Sequence, residues 1–235
     1  MSAEFKRLQS FIDSETAEKQ SLRILEAGCG SISYIHFEQD AHLTGIDISE
    51  SQLEGNSYLN EKILGDVQNH SFPPGSFDVI VCVDVLEHLP RPELALDSFC
   101  KAVTDDGLIV LKIPNVLSVK GLATKILPYW MHKYAYKYMT RGGNSKDSKI
   151  EPFKTYLRFS IAPNALKKRA KNMGLETVYF DTYDFASNKW IKTKKFLRMT
   201  YMATRNIVRF LSFNKIGCSE YICVLKKSDN EKVMP

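Results

Sequence analysis

Glu26-Ala27-Gly28-Cys29-Gly30 is the stretch that decides the fold, and it follows the apolar run that starts at Leu22. A short apolar run that enters a glycine turn is typical of a buried parallel strand leading into the next element of an α/β fold. Because glycine has no Cβ, the backbone N–H groups of such a turn can approach a ligand closely. A Gly-x-Gly turn alone, however, is a weak indication of a nucleotide site.

Apolar runs alternate with helical periodicity along the rest of the chain. Pro92 opens a predicted helix from Glu93 to Val103, and Asp105-Asp106-Gly107 is expected to end it before the next strand. This βαβα order predicts an α/β fold with a parallel sheet covered by helices. The predicted strands are Leu22 to Ala27, His42 to Asp47, Ile63-Leu64, Phe77 to Val83, Leu108 to Ile113, Leu175 to Asp181 and Tyr221 to Leu225, and a further helix covers Ala165 to Met173.

Three acids fall at the predicted carboxyl ends of strands, where ligands of open α/β sheets bind. They are Asp47, Asp66 and Asp84. A carboxylate after the second strand can accept both ribose hydroxyls of an adenosine. The glycine turn does not continue as G-x-G-x-x-G, since Ser33 stands at the last position, and Glu26 precedes it. The set therefore suits a positively charged adenosine ligand better than a pyrophosphate.

In these residues the chain resembles the class I S-adenosylmethionine-dependent methyltransferases, and specifically the branch often called type 11. The resemblance implies a Rossmann-like methyltransferase fold: a single domain over 1–235 with a mostly parallel seven-stranded sheet, helices on both faces and an antiparallel last strand. The chain departs from the family pattern at two points. Ile32 stands where the family often has Gly, and the stretch from Gly30 to Asp47 is slightly short. Both departures concern the helix that the family has directly after the glycine turn. The matching stretches are Ile24 to Gly30, Gly45 to Ser49, Gly65 to Val67, Ser76 to Leu89 and Gly107 to Asn115.

The resemblance implies that S-adenosyl-L-methionine is the cofactor. Glu26 would orient the amino end of the methionyl group through the loop, and Gly28 and Gly30 would let the backbone pass the cofactor. The implied cofactor-binding residues are Glu26, Ala27, Gly28, Gly30, Asp47, Ile48, Asp66, Val67 and Asp84.

The acids receive separate roles from the same resemblance. Asp47 would bind the ribose hydroxyls, with Ile48 against the adenine face. Asp66 would accept a hydrogen bond from the adenine amino group, with Val67 beside it. Asp84 would lie near the methionyl group and the transferable methyl. An Asp at a strand end can also be only a helix cap, and it is their joint placement that favours the site.

His88 is the candidate catalytic residue, as a general base that removes a hydroxyl proton from the acceptor. The alternative is that Glu87-His88-Leu89 only turns the chain into the next helix. A third possibility is a divalent metal, because Asp84-x-x-Glu87-His88 resembles a pattern of the ubiquinone-pathway O-methyltransferases. Many relatives carry these residues with no metal implied, so no metal site is predicted.

Charge is distributed unevenly along the chain. Residues 1–110 contain 7 basic residues (Lys and Arg) and 19 acidic residues (Asp and Glu). Residues 111–235 contain 25 basic residues and 8 acidic residues. The basic second half predicts an anionic partner.

The five cysteines form no metal or disulfide pattern, and Cys29 and Cys82 are expected to be small core residues. Without a signal peptide or an apolar span, the predicted location is cytoplasmic.

Two basic segments are predicted to be insertions. Residues 115–152 are rich in Tyr and Lys and are expected to form a lid over the acceptor, or else a packed helical excursion. Residues 185–217 contain no Asp or Glu and predict a basic amphipathic helix. Over 189–213 that helix would contact an anionic membrane surface on the inner face of a membrane, roof the substrate pocket, or pack on the core.

The predicted function is methyl transfer, more to oxygen than to nitrogen, onto a small acceptor that is anionic and lipid-linked or sugar-bearing. A nucleic-acid methyltransferase is the first alternative, although the chain has no appended RNA-binding module and no Asn-Pro-Pro-Tyr type motif. A non-catalytic binding protein that kept the fold is the second.

Overall fold

The structure is a computed structural model that describes residues 2–37, 40–126, 154–184, 199–200, 202–207 and 217–227. Seven strands form one sheet: β1 Ser21–Ala27, β2 Asp40–Asp47, β3 Glu61–Leu64, β4 Phe77–Val83, β5 Val103–Pro114, β6 Leu175–Tyr183 and β7 Glu220–Lys227. The helices bounded in this part are α1 Ala3–Thr16, α2 Glu50–Gly55, α3 Pro92–Ala102, α4 Val119–Ile126 and α5 Pro163–Asn172, with 3₁₀ turns at Leu86–His88 and Phe159–Ile161.

The strand order is β3-β2-β1-β4-β5-β7-β6. β1 to β5 pair in parallel, and β7 runs antiparallel to both of its neighbours, β5 and β6. The order reverses between β1 and β4, which opens a crevice at their carboxyl ends. The predicted fold class, a mostly parallel seven-stranded Rossmann-like sheet with an antiparallel last strand, is confirmed.

A hydrophobic core lies on each face of the sheet. On one face, Leu8 and Ile12 of α1 pack with the alternate residues of the central strands that point that way. On the other face, Phe99 of α3 and Leu166 of α5 pack with the remaining strand residues. The central strand β4 is buried on both faces, as its continuous apolar run predicts.

Three details differ from the sequence prediction. Residues 31–37 form turns and irregular chain rather than a helix, and this is where the Gly30 to Asp47 stretch is short. Asp105-Asp106-Gly107 does not separate α3 from the following strand, because β5 begins at Val103. The register with β4 jumps from Phe77–Val103 to Val79–Leu108, so these residues form a bulge inside β5. Helix α1 was not predicted.

The two predicted insertions lie largely outside the described residues. Of the basic segment 185–217, residues 199–200, 202–207 and 217 are described, and 199–200 and 202–207 are helical. Arg205, one of the basic residues of this segment, forms an ion pair with Asp184. Within the described ranges, no helix has the length and apolar character needed to cross a bilayer. Membrane contact through 189–213 and a cytoplasmic location stay predictions.

Candidate active site

A cavity of about 590 Å³ opens at the carboxyl ends of β1 to β4. Predicted site residues that line it are Gly28, Gly30, Asp47, Ile48, Asp66, Val67, Asp84 and His88. Glu26 and Ala27 do not line it and lie buried behind the glycine turn. Sequence reasoning missed Tyr34, Gln52, Gln68, Val85, Lys154 and Tyr156, which also line the cavity. Val85 and Gln68 lie within or directly after the matching stretches, whereas the fold brings Lys154 and Tyr156 in from a distant segment that no motif marks.

The glycine turn is held tightly against the sheet. Gly28 has a φ of +69°, and its N–H donates to the carbonyl oxygen of Ile46 at 2.8 Å. A Cβ at Gly28 would lie 2.2 Å from Cγ2 of Val85. The turn therefore requires glycine at this position for both its backbone conformation and its packing.

Asp47 joins the glycine turn to the end of β2. Its Oδ2 accepts from the Gly30 N–H at 2.9 Å, and its Oδ1 accepts from the Ser49 N–H at 2.8 Å. A carboxylate has about four lone-pair positions, so both oxygens can accept further hydrogen bonds from a ligand. The backbone bonds fix the carboxylate at the cavity wall.

Asp66 is fixed in the same manner after β3. Its Oδ1 accepts from the Gln68 N–H at 2.9 Å, and its Oδ2 accepts from the side-chain amides of Gln68 and Asn69. This pattern is an Asx-type turn, which the residue after a strand commonly forms. The exposed side chain of Ile48 and the buried Val67 lie on the wall near these two acids.

Glu26 is a buried carboxyl group at the end of β1. Its Oε2 accepts from the Ser33 hydroxyl at 2.7 Å, while Oε1 has no hydrogen-bond partner among the described residues. Burial raises the pKa of Glu26 to about 7, although the Ser33 bond opposes the shift. A buried acceptor without a partner behind a glycine turn is suited to a ligand that donates hydrogen bonds.

Asp84 belongs to a network of charges at the ends of β4, β5 and β7, in which Glu220 is buried, Lys112 is largely buried and Asp84 is partly exposed. It has a φ of +56°, uncommon for a residue other than glycine, and its carboxylate is ion-paired with Lys112. Lys112 also lies 3.1 Å from Glu220, which pairs in turn with Lys120. Burial alone would lower the pKa of Lys112, but Asp84 and Glu220 outweigh burial and raise it. Lys112 is therefore charged and holds Asp84 in place.

His88 lies in the 3₁₀ turn after β4, and its Nδ1 is 3.1 Å from the carbonyl oxygen of Lys154. A carbonyl oxygen only accepts, so in neutral His88 Nδ1 carries the proton and Nε2 carries the lone pair. Burial lowers the pKa of His88, although the Lys154 bond opposes the shift. The imidazole is therefore neutral at pH 7 and has the tautomer that a base needs.

Glu87 is buried beside His88, with its Oε1 3.9 Å from His88 Nε2. Burial, and next the nearby Asp84, raise the pKa of Glu87 well above its ordinary value.

No group of three or more His, Cys, Asp or Glu residues in the described part of the chain could hold a metal ion. Cys29 and Cys82 are buried, and burial raises the pKa of both thiols, as expected of core cysteines.

A family model of the methyltransferase domain matches residues 2–214. The chain therefore belongs to this family and is a class I S-adenosylmethionine-dependent methyltransferase.

Named relatives are methyltransferases as well, and solved structures share the fold. The ubiquinone biosynthesis O-methyltransferase of Idiomarina loihiensis is 28% identical over 115 residues, which are 45% of this chain and 47% of that protein. This chain covers less than two thirds of the length of the first curated relatives that it matches. The S-adenosylmethionine dependent methyltransferase from Mesorhizobium loti has the same fold, with a TM-score of 0.59 at 11% identity over 93% of this chain and 96% of that one. Magnesium protoporphyrin IX methyltransferase from Synechocystis, with bound SAH, superposes with a TM-score of 0.54 at 13% identity. The superposition covers 96% of this chain and 82% of that one.

The residues of the cavity fit S-adenosylmethionine. Asp47, Asp66 and Asp84 line the cavity, and these negatively charged acceptors favour a ligand with positive charge over a pyrophosphate. The absence of a Cβ lets Gly28 lie directly against Val85 of the cavity wall, and Glu26 behind the turn offers a buried acceptor that has no partner among the described residues.

Proposed function

We propose that this methyltransferase transfers a methyl group to a hydroxyl oxygen of a small acceptor, with His88 as the general base. The observation that carries this proposal is the His88–Lys154 hydrogen bond, which selects the tautomer with its lone pair on Nε2 in a residue that lines the cofactor cavity. When bound, S-adenosylmethionine supplies a methyl group already activated on a sulfonium. An oxygen acceptor needs a base to remove its proton, whereas a neutral amine does not.

The cofactor-binding roles form part of the same proposal. Asp47 would hold the ribose hydroxyls, and Asp66 would accept from the adenine amino group. Asp84, which Lys112 fixes, would face the methionyl end together with Glu26. Each of these carboxylates is held by protein hydrogen bonds or ion pairs, so little reorganisation is needed when a ligand binds.

The insertion 115–152 is proposed to act as a lid over the acceptor. Its described flank α4 contacts the chain that follows it, because Lys125 Nζ donates to the Leu157 carbonyl oxygen at 3.3 Å. The following segment lines the cavity at Lys154 and Tyr156. Both flanks of the insertion therefore meet beside the cavity.

Paired acceptors that differ in one atom test the choice of oxygen. The protein is incubated with methyl-labelled S-adenosylmethionine and, in separate reactions, meta-hydroxybenzoate, meta-aminobenzoate or RNA. Label is expected on the hydroxyl compound, with an ether product identified by mass spectrometry. Label on the amine instead would contradict oxygen transfer, and label in RNA but in neither compound would favour the nucleic-acid alternative.

His88→Gln tests the base. We expect kcat to fall by about 10²- to 10⁴-fold, since a general base contributes rate of that order. Wild-type kcat/KM should decrease only below the lowered pKa of His88, because the base must be neutral, and this acid limb should vanish in the variant. His42→Gln, on an exposed side chain of β2, is the matched control. An unchanged rate and pH profile in H88Q would assign His88 a structural role only.

A further inference from the structure

The segment after the lid insertion is tied by its main chain to the turn that carries His88. We call residues 154–158 the strap. The N–H groups of Tyr156 and Leu157 donate to the Glu87 carbonyl oxygen at 2.8 and 2.9 Å, and the Lys154 carbonyl oxygen meets His88. These bonds place the strap residues independently of their side chains.

Arg158 closes the strap on the other side of the His88 turn. Its Nε donates to the carbonyl oxygen of Pro90 at 3.0 Å. Leu157, between Tyr156 and Arg158, is buried with a φ of +43°, an uncommon conformation for leucine. Such strain persists only where the surroundings fix the chain, and it is found disproportionately at ligand sites.

Charge is segregated within the cavity. Lys154 is the sole Lys or Arg among the described residues that line it, whereas Asp47, Asp66 and Asp84 line it as well. None of the carboxylates in the described ranges forms an ion pair with Lys154. An anionic group in the cavity would be repelled by the acids and attracted to Lys154.

The wall beside Lys154 is aromatic and apolar. The Tyr156 ring lies 5.0 Å from Lys154 Nζ, measured to its centroid, and Tyr34, Leu89 and Pro90 line the same cavity. Such a wall can contact the face of a planar ring, because ring stacking and apolar burial both favour it.

We propose that Lys154 and Tyr156 select an aromatic acceptor that bears both a hydroxyl and an anionic group, with the anion on Lys154 and the hydroxyl towards His88. The proposal rests on the proposed function for the hydroxyl, but the recognition of the anion stands on the strap and its charge. Because Lys154 contacts His88 through its own carbonyl oxygen, the anion site and the base are positioned together.

The test measures binding and methyl transfer separately. Protein loaded with S-adenosylhomocysteine is titrated calorimetrically with phenol and with meta-hydroxybenzoate, which differ by the carboxylate alone. A charge-assisted contact predicts about ten- to a hundredfold tighter binding of the carboxylate compound. Methyl transfer to the same two compounds is measured as kcat/KM.

Substitutions at Lys154 should change this preference and leave the fold unchanged, because the side chain is exposed and its hydrogen bond to His88 uses the main chain. Lys154→Met should abolish the preference, so that meta-hydroxybenzoate binds no more tightly than phenol, because the cavity acids then act on the anion without an opposing cation. Lys154→Glu should favour meta-hydroxybenzylamine over meta-hydroxybenzoate. Lys168→Met, on an exposed lysine of α5 that does not line the cavity, should keep the wild-type preference.

The outcomes separate this inference from the proposed function. Equal binding of the two compounds by the wild type, binding of neither, or a preference that survives Lys154→Met overturns the inference. A preference that depends on Lys154, without any ether product, supports the anion site and contradicts oxygen transfer. An ether product formed equally from both compounds supports oxygen transfer and overturns the anion site.

Discussion

At the scale of single residues, the glycine turn packs so closely against Val85 that Gly28 has no space for a side chain. Gly28 and Gly75 share a left-handed φ, +69° and +62°. They differ in surroundings, because a Cβ at Gly28 would lie 2.2 Å from Val85 Cγ2, whereas nothing lies within 4 Å of one at Gly75. Valine is stiff about χ1 and cannot easily rotate away. The difference between the two sites is therefore the contact alone.

Gly28→Ala should displace the turn and weaken S-adenosylmethionine binding more than tenfold by calorimetry. Gly75→Ala has the same backbone cost, about 1 to 2 kcal/mol, and should leave the cofactor Kd unchanged. If both variants bind the cofactor like the wild type, Val85 yields and the turn does not require glycine for packing.

Residues at strand ends could be predicted because a local pattern marks them. Asp47, Asp66 and Asp84 each follow an apolar run, and all three line one cavity. The long-range contacts around the site could not be predicted. The ion pair of Lys112 with Glu220 and the hydrogen bond of His88 with Lys154 form only once the chain has folded. Long-range pairing leaves no periodic signal in the sequence.

At the scale of elements, local chemistry predicted the strands and the helices that open at proline, α3 and α5. It failed where packing decides. Helix α1 buries only Leu8, Ile12 and Thr16, a sparse apolar stripe that the sequence alone does not distinguish from a charged terminus. Asp105-Asp106-Gly107 predicts a helix end because Asp-Asp-Gly commonly breaks structure, whereas pairing with β4 on both sides of these residues continues the strand around them as a bulge.

Ile12→Ala tests whether α1 belongs to the core. Ile12 is fully buried, so the loss of its side chain should reduce the free energy of unfolding by about 2 to 5 kcal/mol in urea denaturation. Ile207→Ala, at a side chain 59% exposed, should change it by no more than about 0.5 kcal/mol. Equal effects of the two substitutions would show that α1 packs weakly.

At the scale of the whole molecule, the cavity is assembled from loops after four different strands and from the strap. A ligand that contacts several of these loops binds the folded chain and not the unfolded one, so it stabilises the whole domain. Cofactor binding should therefore be visible as a shift of global unfolding.

S-adenosylmethionine at 100 times its Kd should add about 2.7 kcal/mol of stability and raise the Tm by roughly 5 to 10 °C. Asp47→Ala should abolish this ligand-induced shift, even if the variant alone melts somewhat lower after losing the Gly30 and Ser49 hydrogen bonds. Asp105→Ala, at an exposed acid outside the cavity, should keep the shift. A full shift in D47A, measured by differential scanning fluorimetry, would remove Asp47 from the site.

The position of β7 between β5 and β6 has a consequence for how the chain matures on the ribosome. β6 is synthesised before β7, yet among the described strands it pairs with β7 alone, and one edge of β5 waits for the same strand. Until Glu220–Lys227 leaves the exit tunnel, both strands present open hydrogen-bonding edges, which are templates for aggregation. The half that binds cofactor can pair its strands early, whereas the half that carries the strap and β6 must wait for the last strand.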